Sequence, residues 1–241
     1  KPGDATDAIA RIDVPALDDW VPDAGGALHG TFSALGKWPH LAIDGQARGT
    51  DLRFGDMRAQ SLRLNMDVEN PTEPQGFVEL RLREAAAAGM EIATLRANAS
   101  GNAESHTLEL SMQGAPLGTE LSVEGALADA GWTGTVDQLV LDIKDAARLE
   151  LQQPVQVEYL EQGTRVSQAC FADGDIRLCV EGAMRADGSL EARYSLAEVP
   201  LALANAFASA DSTLGFAGTL GGDGDVQRNA EGVLSGNARI E

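Results

Sequence analysis

The alternation of apolar and polar residues between His106 and Ile143 limits what this chain can fold into more than any other feature. Leu108, Leu110 and Met112 alternate with Glu109, Ser111 and Gln113, and Leu121 and Val123 alternate with Ser122 and Glu124. Successive side chains of a strand point to opposite faces, so each run is apolar on one side and polar on the other. Leu139 and Leu141 carry the pattern on. Gly114, Pro116 and Gly118, and then Asp129-Ala-Gly131, punctuate the runs, because Gly permits positive φ and Pro cannot donate to a ladder. An antiparallel meander follows, and the functional question becomes what lies against its apolar side.

The same pattern recurs elsewhere. Leu62, Leu64, Met66 and Val68 alternate with Arg63, Asn65 and Asp67; Leu80 and Leu82 follow the Asn70-Pro71-Thr-Glu-Pro74 turn; Val155 and Val157 repeat the spacing of two. Helical sequence is scarce. Val199-Pro200 opens a stretch to Ser209 with Pro in its first turn and Leu201, Ala204 and Phe207 on one side, which predicts a short helix able to cap an apolar surface. Residues 1–20 read as an entry segment with one helical turn at Asp7–Ile12. The four alanines after Glu84 favour helix by propensity, whereas Gly89 and the alternation of Met90 and Ile92 favour extended chain. The compromise is a strand edge or loop with one helical turn. Gly30-Thr-Phe, Gly134-Thr-Val and Gly218-Thr-Leu each read as the start of a strand after a turn, so residues 21–241 are expected to form one repetitive sheet, grown by adding strands along one axis.

Composition narrows the partners. A formal net charge of −19 argues against nucleic acid, whose binding needs Lys and Arg to displace counterions, and against peripheral docking on anionic headgroups. Aromatics are only 5% of residues, so the apolar faces are aliphatic and smooth. No run of about 18 apolar residues occurs that could span a bilayer as a helix. His29, His40 and His106 lack metal-ligand spacing, and neither a nucleophile elbow nor a phosphate loop is present. Gly221-Gly-Asp-Gly224-Asp lacks the further residues of a calcium or nucleotide loop and reads as a Gly-rich turn. His106 reads as a structural residue at a strand end, and Trp132 as a ring packed over a turn. The chain calls for no cofactor and no catalytic set.

The only two cysteines bracket Cys170-Phe-Ala-Asp-Gly-Asp-Ile-Arg-Leu-Cys179. A type II′ turn at Gly174-Asp175, which wants Gly first, would pair Asp173 with Ile176, Ala172 with Arg177, Phe171 with Leu178 and Cys170 with Cys179. Directly opposed Cα atoms at a non-hydrogen-bonded site lie about 4.5 Å apart, within the disulfide range. The bridge implies an oxidising compartment. Two reduced strand cysteines, or a two-ligand metal site without further ligands nearby, are the alternatives.

Taken in order, Pro22-Asp-Ala-Gly-Gly26, Leu52, Leu62, His106-x-Leu108-x-Leu110, Gly125, Trp132-x-Gly134, Leu139-x-Leu141, Gln153-Pro154, Cys170 with Cys179, and Val199-Pro200-Leu201 resemble the middle region of the TamB family, which is related to AsmA-like proteins. The resemblance covers most of residues 20–240. It implies an all-β chain: an elongated, curved sheet, mostly an antiparallel meander, forming an open apolar groove known as a β-taco. It further implies a periplasmic segment of a long inner-membrane-anchored protein, carrying phospholipid acyl chains, with a TamA-like outer-membrane barrel partner. Contacts with that partner fall outside these residues.

Two uses of the apolar faces compete with sealing them in a dry sandwich or barrel. A sheet must bury such a face at about 25 cal/mol per Å², and without covering helices a bound hydrophobe can serve. The expected lining is Leu62, Leu64, Met66, Val68, Leu80, Leu82, Leu108, Leu110, Met112, Leu121, Val123, Leu139, Leu141, Val155 and Val157. The other use is a scaffold that accepts a client strand at an exposed sheet edge by β-augmentation.

Overall fold

The computed structural model describes residues 6–37, 40–70, 74–206 and 215–240. Among them are sixteen strands, a 3₁₀ turn at Leu17–Asp19 and one short α-helix. The chain divides into two compact units, Lys1–Ala115 and Pro116–Glu241.

In the first unit β1 (Thr6–Val14), β2 (Ala24–Lys37), β3 (His40–Phe54), β4 (Met57–Glu69), β5 (Gln75–Ala87), β6 (Met90–Gly101) and β7 (His106–Ala115) follow one another as an antiparallel meander. Two local expectations fail here. Asp7–Ile12 is not a helical turn but part of β1, paired along its length with β2; Ala8, Ala10 and Ile12 alternate with Asp7, Ile9 and Arg11, and strand pairing exploits that alternation. The alanine run contains no helical turn either. Ala85 pairs with Ile92 and Ala87 with Met90, while Ala88 (φ 50°) and Gly89 (φ 79°) make a two-residue turn of the primed kind that suits hairpin twist. Pairing on both flanks of β5 outweighs a helix propensity of a few tenths of a kcal/mol per residue.

The second unit contains β8 (Leu117–Ala128), β9 (Gly131–Ile143), β10 (Ala147–Leu151), β11 (Val155–Leu160), β12 (Gly163–Asp173), β13 (Ile176–Arg185), β14 (Leu190–Pro200), β15 (Thr219–Arg228) and β16 (Leu234–Ile240). β10 and β11 both lie between β9 and β12; Pro154, which has no N–H to donate, sits in the break between them. The helix α1 is Ala202–Ala206. It starts later than predicted because Val199 and Pro200 still pair with Leu220 and Thr219 in the sheet, and positions 207–209 lie outside the described residues. Leu203 and Ala206 pack on the core formed by Ile143, Ala147, Leu149, Val155, Ala169 and Phe171, so α1 does cap an apolar surface.

Several glycines expected at turns lie inside strands. Gly30 is in the interior of β2, Gly134 of β9, and the Gly221–Asp225 stretch in β15; only Gly218 precedes a strand. Their missing side chains make room for rings. Phe32 lies over Gly45, Trp132 over both Gly125 and Gly134 rather than over a turn, and Tyr194 over Gly224. An aromatic ring laid across a strand glycine replaces the packing that the glycine forgoes. Because a Cβ at Gly45 would lie inside contact distance of Phe32, Gly45→Val is expected to destabilise the first unit by about 1–3 kcal/mol through overpacking, measured by urea denaturation.

The cysteine hairpin folds in the register read from its turn. Gly174 has φ 55°, the pairs Asp173–Ile176, Ala172–Arg177 and Phe171–Leu178 form, and Cys170 is bonded to Cys179 with Cα atoms 4.0 Å apart. Phe171 enters the core, so the adjacent cysteines occupy the opposite, polar face. Reducing the bond therefore removes little core contact. Loop-closure entropy for a ten-residue loop predicts a loss of roughly 2.5–3 kcal/mol for the second unit, checked by comparing its denaturation midpoint with and without dithiothreitol.

Candidate functional site: the apolar sheet faces

Directly opposed residues of paired strands share a face, and the register of the first unit turns separate alternations into continuous rows. One row runs Ile12, Gly30, Ala47, Leu64, Leu80, Ala97, Leu110 from β1 to β7. The next runs Ala10, Phe32, Gly45, Met66, Val78, Ala99, Leu108, and on the other side lies Val14, Leu28, Gly49, Leu62, Leu82, Leu95, Met112. None of the three holds a polar side chain. Val68, opposite Ile43 and Gly76, begins a fourth. All nine lining positions predicted in this unit thus lie on one face. Ile12, Leu28, Phe32, Val78 and Leu95 belong to it as well and were missed, since the Gly and Ala between them blur the period of two.

Burial separates this face from a sealed core. Met112 is 9% exposed, but Leu62, Leu64, Met66, Val68, Leu80, Leu82, Leu108 and Leu110 are only half-buried. Among the described residues no large side chain of the chain falls below 2% exposure.

In the second unit Leu121 faces Leu139, Val123 faces Val136, Val136 faces Val155, Val157 faces Val166, and Leu141 faces Leu149. All six predicted positions again share a face. Here the enclosure is greater: Val155 is 3% exposed and belongs to the core, while Leu121, Val123, Leu139, Leu141 and Val157 are half-buried.

The polar faces carry the charge. Glu79 accepts hydrogen bonds from Asn65 Nδ2 (3.2 Å) and Arg81 Nε (2.9 Å), and these hold its carboxyl below the usual range. Asp187 is lowered likewise by the hydroxyl and amide of Ser189. His106 opens β7 with its Nδ1 3.0 Å from the Asn102 carbonyl oxygen, a strand-end structural contact. No helix among the described residues is long and apolar enough to cross a membrane.

The comparisons with known proteins agree on one relationship. The family profile described as "TamB, N-terminal domain" matches residues 3–241. The chain is similar to the translocation and assembly module subunit TamB of Haemophilus influenzae, with 21% identity over 217 residues. That alignment covers 88% of this chain and 17% of the relative, so the chain spans less than a fifth of the relative's length. No solved structure matches it. With nearly every residue matched by the profile, on an all-β meander of the kind the resemblance implied, this chain belongs to the TamB family.

Proposed function

We propose that the chain is a periplasmic bridge segment of a translocation and assembly module, holding phospholipid acyl chains on its apolar sheet faces as they pass between the inner and outer membranes. The supporting observation is the set of three wholly apolar rows across seven strands, whose large side chains, Met112 apart, are half-buried or exposed. Aliphatic side chains offer many weak, non-directional dispersion contacts, which hold a hydrocarbon tail without fixing its position. Passage is driven by lipid supply and removal at the ends, and no chemical step is required of these residues. Docking to a TamA-like outer-membrane barrel protein belongs to other parts of the longer protein. Native mass spectrometry of the gently purified chain tests the reading: phospholipid adducts are expected, and a chain consistently free of lipid overturns it.

One observation favours a second reading, a scaffold for clients such as outer-membrane β-barrel proteins. β16 is exposed along its whole length and, among the described residues, pairs only with β15. An edge of this kind can accept a client strand. Stoichiometric capture of a barrel-derived peptide, blocked by Ala238→Pro, would favour the scaffold over the conduit.

A further inference from the structure

Four arginines stand directly opposite one another across four consecutive strands of the first unit. Arg48 of β3 faces Arg63 of β4, Arg63 faces Arg81 of β5, and Arg81 faces Arg96 of β6. Each alternates with the apolar rows, so the four share the polar face, and all are exposed. Like charges directly opposed in a sheet repel. At about 4.8 Å per strand the row sets four positive charges within roughly 14 Å, in a chain whose formal net charge is −19.

The neighbours do little to neutralise it. On one side the flanking row is Thr50, Ser61, Arg83 and Thr94, and on the other Gln46, Asn65, Glu79 and Asn98. The only carboxylate in this block is Glu79, already engaged by Arg81 and Asn65. Among the described residues Arg48, Arg63 and Arg96 have no carboxylate oxygen within 4.0 Å, although the chain holds 37 acidic residues that could have been placed there. Surface repulsion retained in so acidic a chain calls for a ligand that relieves it.

We propose that this arginine row is a docking strip for an acidic segment of a partner polypeptide, bound extended across the strands. Guanidinium forks match carboxylates bidentately. Alternate side chains of an extended segment lie about 6.8 Å apart, so three carboxylates at alternate positions cover about 14 Å, the length of the row. The strip is also narrow. Asp44 and Asp67 face each other one row beyond Gln46 and Asn65, where a broad anionic surface such as a bilayer would meet them and a single extended chain would not. The strip lies on the opposite face from the apolar rows, so it stands whether or not lipid binds there.

Fluorescence anisotropy of a labelled nonapeptide of alternating Glu and Thr, titrated with the 241-residue chain at low salt, tests the proposal. Binding that weakens with added NaCl is expected. Arg63→Gln combined with Arg96→Gln should weaken it about tenfold, whereas Arg193→Gln, in the other unit and paired with Glu181, should not. The double variant should melt no lower than the parent, since it removes opposed like charges. Vesicles of phosphatidylcholine and phosphatidylglycerol should show no arginine-dependent binding. The proposal is overturned if the double variant holds the peptide as tightly as the parent, or if the vesicles, and not the peptide, are bound through these arginines.

Discussion

Leu80→Arg should cut the phospholipid retained by the purified chain at least about tenfold while leaving the sheet folded. Leu80 lies in the middle of the row from Ile12 to Leu110, directly between Leu64 and Ala97. A cation there puts a strongly hydrated charge where an acyl chain would lie, and an unpaired charge resists transfer into a hydrocarbon environment by several kcal/mol. The sheet survives because Leu80 is only half-buried and the arginine stem can lie along the apolar surface with its head in water. Far-ultraviolet circular dichroism should match the parent. Asn98→Arg, on the polar face of the adjacent strand, should leave lipid retention unchanged. Equal lipid in the Leu80→Arg variant and the parent would remove this face from the route.

Phe171→Ala is expected to destabilise the second unit by about 3–5 kcal/mol, the usual cost of truncating a buried aromatic. Phe171 is 7% exposed and packs within the cluster that α1 covers through Leu203 and Ala206. The removed ring leaves a cavity that the paired strands cannot collapse around without losing register. Leu64→Ala offers the contrast. Leu64 is only half-buried, so about half the transfer free energy of a leucine is lost, on the order of 1 kcal/mol. Hydrogen exchange of β12 amides reports the second unit, and that of β4 amides reports the first. Comparable losses at the two positions would mean that Leu64 sits in a dry core, and the lipid reading of the first unit would fall with it.

Much of this was legible from residues alone. The half-buried strands announce themselves where large aliphatics alternate with charges, as at Leu62–Val68 and Leu108–Met112, because one apolar residue in two is what a one-sided strand needs. The cysteine hairpin could be registered to the residue since a two-residue turn with Gly first fixes every pair outward from it. Local signals failed where the side chains were small. Ala8 and Ala10 in β1, the alanines of β5, and Gly45, Ala47 and Gly49 in β3 carry little hydrophobic contrast. Their conformation is set by neighbouring strands and by rings such as Phe32.

By itself, the sequence determined which side chains of each strand are apolar, that strands would dominate, and which cysteines would meet, because these follow from periodicity and turn chemistry within a few residues. Tertiary structure alone decided that Leu64, Leu80 and Leu110 fall in one row, that Phe171 is enclosed while Leu64 is not, and that Arg48, Arg63, Arg81 and Arg96 line up on the reverse face. Those relations depend on the register of each pairing, and a slip of one residue between strands would turn a whole strand over and scatter both the apolar rows and the arginines.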